Sequence, residues 1–209
     1  MKRRKVSFGL VLAVMFALVF SACGELDGGE LDEILAGLGP IGDQGDLRGQ
    51  TGAGGGVIFY YSEDGFELVG YPGTYHYLEA APNDVGTRQW QSSAGDIEGT
   101  GTAMGTGRRN TAIIHAHDDT TLAASACAEL NTGGRTDWFL PSRDELFELY
   151  KYWDSDSRPI KFNLNSSGWY WSSSQVDINT AWYQSFLINA QGDYEKDNSA
   201  GNVRAIRAF

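Results

Sequence analysis

Hydrophobic positions divide the chain into an N-terminal apolar run, a glycine-rich stretch and an aromatic-rich remainder. Four basic residues precede the apolar run at residues 6–22, which ends in small residues directly before Cys23. A membrane-spanning helix needs about 20 apolar residues, and this run is shorter. The pattern is typical of an export signal.

After Val57, short runs rich in aromatic and β-branched residues alternate with segments of helical spacing. The first kind of pattern predicts strands and the second predicts helices. In chain order we predict strands at residues 57–61 and 75–79, helices at 109–116, 121–130 and 143 onward, and strands at 169–173, 181–187 and 203–209. This order predicts one α+β domain over residues 57–209, with two to three helices and a strand-rich C-terminal third.

The third helix has the clearest start signal. Ser142 is followed three residues later by Glu145, which is the spacing of a capping box. The apolar residues behind this signal share one helix face, and they are Leu146, Leu149 and Tyr150. We expect this helix to end before Pro159. We also expect Trp90 to anchor the long loop region at residues 83–107.

The residues 20–23, Phe-Ser-Ala-Cys, resemble a lipobox, the recognition site of bacterial lipoprotein signal peptidase. This resemblance implies a signal peptide over residues 1–22 and lipidation at Cys23. An uncleaved N-terminal anchor is the alternative, and either form tethers the chain to a bacterial membrane. We expect the protein to be exported and to lie on the cell surface.

Charge and cysteine content restrict the function further. Removal of residues 1–22 takes away four of 16 basic residues and none of 27 acidic ones, so 12 basic and 27 acidic residues leave a formal charge of −15. Nucleic acids bind through clustered Lys and Arg, so we expect no nucleic-acid partner. Lipidation of Cys23 leaves Cys127 alone, which excludes an intrachain disulfide. We interpret Cys127 as a buried thiol.

Residues 24–56 are rich in Gly, Asp, Glu and Leu without a sustained period, which predicts a flexible tether over residues 23–56. Glycine recurs at every third place within it, with one interruption, at Gly39, Gly42, Gly45, Gly49, Gly52 and Gly55. These triplets are too few to close a collagen triple helix, so we expect a monomer rather than a trimer.

Four motifs in the domain occur in a characteristic order: DWFLPSRDEL at 137–146, WYWSSS at 169–174, AWYQSF at 181–186 and VRAIRAF at 203–209. In order and spacing they resemble the Lcl C-terminal domain family of bacterial surface proteins. This resemblance implies a C-type-lectin-like fold with an antiparallel sheet. We also expect the first and last strands to pair, because each would otherwise be an unpaired edge.

Residues 175–202 resemble the variable region of proteins that are diversified by retroelements mutating template adenines. Residues that such mutation cannot produce lie at matching fixed positions, namely Trp182, Gln184, Gln191 and Lys196. Along the strand, we expect Trp182 and Phe186 to face the core and Tyr183, Ser185 and Leu187 to face solvent. The large tryptophans at 169, 171 and 182 are interpreted as core residues.

Catalytic patterns are weak. The segment with His115, His117, Asp118 and Asp119 lacks further ligands at metal-site spacing, and residues 99–107 lack the Lys-Ser or Lys-Thr ending of a phosphate-binding loop. Asp154 and Asp156 could serve a glycosidase only if they faced each other across a substrate. We therefore expect no enzyme activity and no cofactor. The sequence assigns no metal site, and it leaves calcium binding, which some lectin-like domains show, open.

The function favoured by these observations is binding of an unknown protein or glycan by a surface lipoprotein. The alternatives are a glycan-acting hydrolase and a structural envelope lipoprotein without a specific ligand. The candidate ligand-binding residues are Val176, Asp177, Ile178, Asn179, Tyr183, Ser185, Leu187, Ile188, Asn189, Asp193, Tyr194, Asp197, Asn198 and Ser199.

Overall fold

The computed structural model describes residues 45–93, 95–117, 122–155, 164, 168–199 and 201–209. The predicted signal peptide, Cys23 and most of the predicted tether lie outside the described residues. In chain order, the elements are β1 (Val57–Glu67), β2 (Thr74–Ala80), β3 (Thr87–Arg88), α1 (Gly107–His117), α2 (Ala123–Ala128), α3 (Arg143–Asp154), β4 (Trp169–Gln175), β5 (Thr180–Ser185), β6 (Ala190–Glu195), β7 (Gly201–Asn202) and β8 (Ile206–Ala208). The α+β class predicted from the sequence is confirmed.

The first sheet has the order β1-β2-β8, with antiparallel pairing throughout. The predicted pairing of the first and last strands is wrong, because β2 lies between them. A short turn connects β1 to β2, so this local hairpin occupies the inner edge of β1. The outer edge of β1 is partly covered by the preceding chain, where the N–H of Ile58 donates to the carbonyl of Gln50 at 3.0 Å.

The second sheet has the order β3-β7-β4-β5-β6. Strands β4, β5 and β6 pair antiparallel, whereas β4 and β7 are parallel. The sequence pattern predicts β4 and β5 but not β3, β6 and β7. Strands β3 and β7 are two residues each, and β6 is mostly polar, with Tyr194 as its single aromatic residue and no β-branched residue to mark it as a strand.

The helices lie where the sequence predicts them. Helix α3 starts with the predicted capping box: the N–H of Glu145 donates to the Ser142 hydroxyl at 3.3 Å, and the N–H of Ser142 donates to the Glu145 carboxylate at 2.7 Å. Burial of Leu146 and Leu149 then packs the helix onto the sheets. Helices α1 and α2 pack against each other on the other side of β4.

Strand β4 separates two hydrophobic cores. Its residues alternate, so Tyr170 enters the first core with Phe186 and Leu149, while Trp171 enters the second with Trp90. All five of these side chains are buried. Trp90 is anchored as predicted, since its ring N–H donates to the carbonyl of Ser172 at 2.7 Å.

The glycine-rich stretch before β1 is folded onto the domain from Asp46 onward, which corrects the predicted boundary at Val57. The N–H groups of Gly54 and Gly56 donate to the buried carboxylate of Glu79, at 3.0 and 2.8 Å. Arg207 donates to the same carboxylate at 3.0 Å. The glycines are required by close packing, because a Cβ at Gly54 would collide with the Trp138 ring.

A second buried carboxylate, Glu145, joins α3 to the loop before α1. It is fully buried and accepts from the N–H of Gly105 at 2.9 Å as well as from Ser142. Gly107 starts α1 directly against it, and a Cβ there would collide with the Glu145 carboxylate. Burial raises the pKa of Glu145 to about 7, although the hydrogen bonds from Ser142 and Gly105 act in the opposite direction.

Candidate functional site

The candidate residues lie on the hairpin formed by β5 and β6 and on the turns at its two ends. Residues 176–179 connect β4 to β5, and residues 186–189 connect β5 to β6. A six-residue strand spans about 20 Å, so these turns lie at opposite ends of the hairpin. The candidate residues therefore form separate surfaces rather than one.

Three loops meet at the end of the hairpin where β5 begins. The carbonyl of Ile178 accepts from the N–H of Gly95 at 3.0 Å, and the carbonyl of Asn179 accepts from the N–H of Lys196 at 3.0 Å. The side chains of Val176 and Ile178 are 40% and 53% exposed. We call this the three-loop surface, and it consists of Asp96, Val176, Asp177, Ile178, Asn179, Asp197, Asn198 and Ser199.

Lys196 is buried beneath the three-loop surface and connects its loops through hydrogen bonds. Its side chain is 1% exposed, and its ammonium donates to the carbonyl of Gly95 at 2.7 Å, to Gln175 Oε1 at 2.6 Å and to the carbonyl of Ile178 at 3.2 Å. The ammonium also lies 4.9 Å from the centroid of the Trp90 ring. Burial lowers the pKa of Lys196, while the charges of nearby carboxylates oppose this shift.

Asp177 fixes the turn between β4 and β5. Its Oδ1 accepts from the N–H groups of Asn179 and Thr180 at 2.7 and 2.8 Å and from the Thr180 hydroxyl at 3.2 Å. Hydrogen bonds from these two backbone N–H groups hold the pKa of Asp177 below its usual value. The turn therefore presents an ionised carboxylate beside Ile178.

The opposite end of the hairpin carries two aliphatic side chains. Leu187 and Ile188 are 67% and 69% exposed, and Leu187 faces solvent as predicted. Asn189 completes the turn with a φ of 49°, a left-handed conformation that Asn adopts more readily than most residues. This tip is apolar, whereas the three-loop surface combines aliphatic side chains with carboxylates.

An aromatic cluster lies on one face of the hairpin between its two ends. The ring of Trp169 lies 5.1 Å from Tyr183 and 5.4 Å from Tyr194, between centroids. Tyr194 is 45% exposed, whereas Tyr183 and Trp169 are half-buried. Gly192 leaves room for the cluster, because a Cβ there would lie 2.9 Å from the Tyr183 hydroxyl oxygen.

The predicted division of β5 into a core face and a solvent face needs correction. Phe186 is buried as expected and Gln184 is buried as well, but Ser185, assigned to the solvent face, is only 8% exposed. Trp182 is half-buried rather than buried, and the Arg143 guanidinium lies 5.1 Å from its ring centroid. Ala181 lies in the second core and Phe186, directly after β5, lies in the first, so neither face of β5 is fully open.

Other candidate positions from the sequence lie apart from the hairpin. Within the described parts of the chain, no group of three or more His, Cys, Asp or Glu side chains could hold a metal ion. His115 contacts the Ser125 hydroxyl at 3.0 Å. Cys127 is fully buried, and burial raises the pKa of its thiol. Such a thiol is not a nucleophile at neutral pH.

The sequence pattern does not indicate Asp96 on the three-loop surface or the buried Lys196 beneath it. Asp96 reaches the three-loop surface through a contact with Gln175 far along the chain, for which the sequence carries no signal. The sequence indicates Lys196 only as a fixed position, because a single lysine among polar residues at the end of a strand gives no sign of burial. Trp169, interpreted as a core residue, packs half-buried against the second core and also forms the base of the aromatic cluster.

No helix among the residues that the structure describes is long and apolar enough to cross a membrane. Among curated proteins, none matches the chain significantly. The family model of the Lcl C-terminal domain matches residues 83–207, a span that runs from the loop after β2 to the last strand and contains all three surfaces. The chain therefore belongs to the Lcl C-terminal domain family.

Proposed function

We propose that this protein is an exported lipoprotein, anchored through Cys23, that binds a protein or glycan ligand at the cell surface. The domain is not an enzyme in this proposal. It has a C-type-lectin-like fold, in which the first and last strands share a sheet and long loops carry the ligand site. Family membership and the shared sheet of β1, β2 and β8 support this assignment.

The observation that carries the proposal is the three-loop surface. Val176 and Ile178 expose apolar area on turns that are fixed by the buried ammonium of Lys196. Apolar side chains held rigidly at a surface lose little entropy on binding, which favours recognition of a partner. Residues 175–202 are in this proposal a variable segment, in which the buried Gln184 and Lys196 stay constant while exposed positions change.

Binding is tested with the exported chain, with residues 1–22 removed and Cys23→Ser, on an array of glycans and extracellular proteins. We expect at least one ligand to be captured, and Ile178→Ala or Tyr194→Ala to weaken the capture without lowering the melting temperature. A typical central contact contributes about 2 kcal/mol. Absence of any captured ligand would contradict the binding role.

The anchor and the diversification have separate tests. Metabolic labelling with a fatty-acid analogue should mark the mature chain, and Cys23→Ala should abolish the label. For diversification, we expect a reverse transcriptase gene next to a near-copy of the coding segment for residues 169–209. Absence of such a gene would contradict the proposed diversification and would leave the proposed binding function unaffected.

A further inference from the structure

The three-loop surface has an acidic border around an aliphatic centre. Val176 and Ile178 lie on one of the three loops that meet here, and each loop carries an exposed aspartate, namely Asp96, Asp177 and Asp197. The charges of Asp96 and Asp177 both act on the ammonium of Lys196, so these two carboxylates lie near the same buried cation. The border therefore contains carboxylates from three separate chain segments.

The cation at the base of this surface does not neutralise its outer side. The ammonium of Lys196 directs its hydrogen bonds to Gly95, Gln175 and Ile178 and is shielded from solvent. The guanidinium of Arg109 lies beside Gly99, at the far end of the loop that carries Asp96. A ligand that approaches from solvent thus meets carboxylates first.

The loops are also held before any ligand binds. Gln175 donates through Nε2 to Asp96 Oδ1 at 2.5 Å and accepts through Oε1 from the N–H of Ile97 at 2.8 Å. Ile97 is buried at 2% exposure, so it anchors the loop to the second core. A surface fixed in this way keeps the spacing between its carboxylates and its aliphatic centre.

We propose that the three-loop surface docks a protein segment in which an apolar side chain is flanked by Lys or Arg. This inference rests on the proposed binding function and names the class of partner. The apolar side chain covers Val176 and Ile178, and the flanking cations pair with the three carboxylates. The acidic chain, with its formal charge of −11 including the basic N-terminus, adds long-range attraction for such a segment. Sulfated glycans, nucleic acids and anionic membrane surfaces are repelled by the same charges.

The test selects short random peptides displayed on phage against the exported chain with Cys23→Ser. We expect the enriched peptides to combine Leu, Ile or Phe with neighbouring Lys or Arg. Their affinity should fall with rising salt concentration and should fall at least about tenfold in a chain with Asp96→Asn, Asp177→Asn and Asp197→Asn. Ile178→Ser should weaken binding to a similar degree.

A matched variant separates a specific site from general attraction to an acidic protein. Glu63→Gln, Asp64→Asn and Glu129→Gln remove three exposed carboxylates outside the three-loop surface. We expect this variant to bind the selected peptides as the unmodified protein does. Equal weakening in both triple variants would overturn the inference, as would enriched peptides without basic residues or no enrichment.

The array of glycans and proteins distinguishes this inference from the proposed function. One outcome is that the array captures a ligand equally well with the unmodified chain and with the variant at Asp96, Asp177 and Asp197. In that case the proposed binding function is supported, and the inference of a basic protein segment as the partner is wrong. If neither the array nor the peptide selection yields a ligand, both proposals fail. Melting temperatures of all variants show that the comparison concerns folded protein.

Discussion

At the scale of single residues, Glu145 links the stability of the domain to pH. Burial raises its pKa to about 7, above the usual value of 4.5. The folded state therefore holds the proton more tightly than the unfolded state, so its contribution to stability is complete below pH 4.5 and is lost as pH rises through 7. Each pKa unit corresponds to about 1.4 kcal/mol of unfolding free energy.

We expect the unfolding free energy to fall by a few kcal/mol between pH 4.5 and pH 8, measured by urea denaturation. The variant Glu145→Gln cannot titrate, and subtraction of its profile from that of the unmodified protein leaves the contribution of Glu145. Its amide nitrogen would also face an N–H donor, which lowers stability at every pH. Parallel profiles for the two proteins would show that Glu145 keeps its usual pKa in the folded state.

Close packing requires glycine at position 54, although the composition of this segment suggests a flexible spacer. The N–H of Gly54 binds the Glu79 carboxylate, and a Cβ would collide with Trp138. We expect Gly54→Ala to destabilise the domain by about 2–3 kcal/mol, as overpacking does in a core. Gly70→Ala is the control, since its Cβ would meet nothing within 4 Å and only its φ of 83° opposes the change, at a cost of about 1 kcal/mol. Equal melting temperatures for both variants would contradict this reason.

The same residue explains why the sequence misplaces the domain boundary. Glycine is equally compatible with a flexible spacer and with a loop packed tightly around a buried group. Gly52, Gly54 and Gly56 approach Glu79, which lies in β2 beyond the whole of β1. No local pattern connects these positions, so the contact becomes visible only in the folded chain.

At the scale of elements, Lys196 joins β6 to the loop at Gly95 and the turn at Ile178. Lys196→Met would leave the acceptors at Gly95, Gln175 and Ile178 without this donor. We expect a loss of about 2–4 kcal/mol in unfolding free energy, because hydrogen bonds to a charged group are the stronger kind. Hydrogen exchange should also quicken at Gly95 and Lys196, whose N–H groups bond within the three loops.

Lys151→Met is the matched control for this substitution. Lys151 lies on α3, half of its side chain is exposed, and it pairs with Glu148 at 2.6 Å. Exposed pairs of this kind contribute about 0.5 kcal/mol, so its stability should hardly change. A similar loss in both variants would mean that Lys196 contributes no more than a surface lysine.

Elements with a local signal were predicted, and those defined by distant contacts were not. Helix α3 follows from the spacing of Ser142 and Glu145, and β4 follows from its aromatic run. Strand β6 is polar and exists because β5 offers it a pairing edge. The position of β2 between β1 and β8 likewise depends on the competition of two strands for the same edge. The candidate residues at 176–199 lie along the hairpin of β5 and β6, and their division into separate surfaces depends on the register of these two strands.

At the scale of the whole molecule, the position where the folded domain begins can be tested by comparing two shortened chains. One begins at Asp46 and keeps the glycine-rich segment that contacts Glu79, and the other begins at Val57. The second chain leaves the buried Glu79 carboxylate without the N–H groups of Gly54 and Gly56 and uncovers the outer edge of β1. An unsatisfied buried acceptor costs about 1–3 kcal/mol, and more when it is charged.

We therefore expect the chain from Asp46 to melt at the temperature of the chain from Gly24. The chain from Val57 should lose about 3 kcal/mol or more of unfolding free energy, which is a large part of the stability of a typical domain. Glu79→Gln in the longer chain provides an internal check, because it weakens the same contacts and the ion pair with Arg207 without shortening the protein. If the chain from Val57 is as stable as the chain from Asp46, residues 46–56 belong to the tether, as their composition alone suggests.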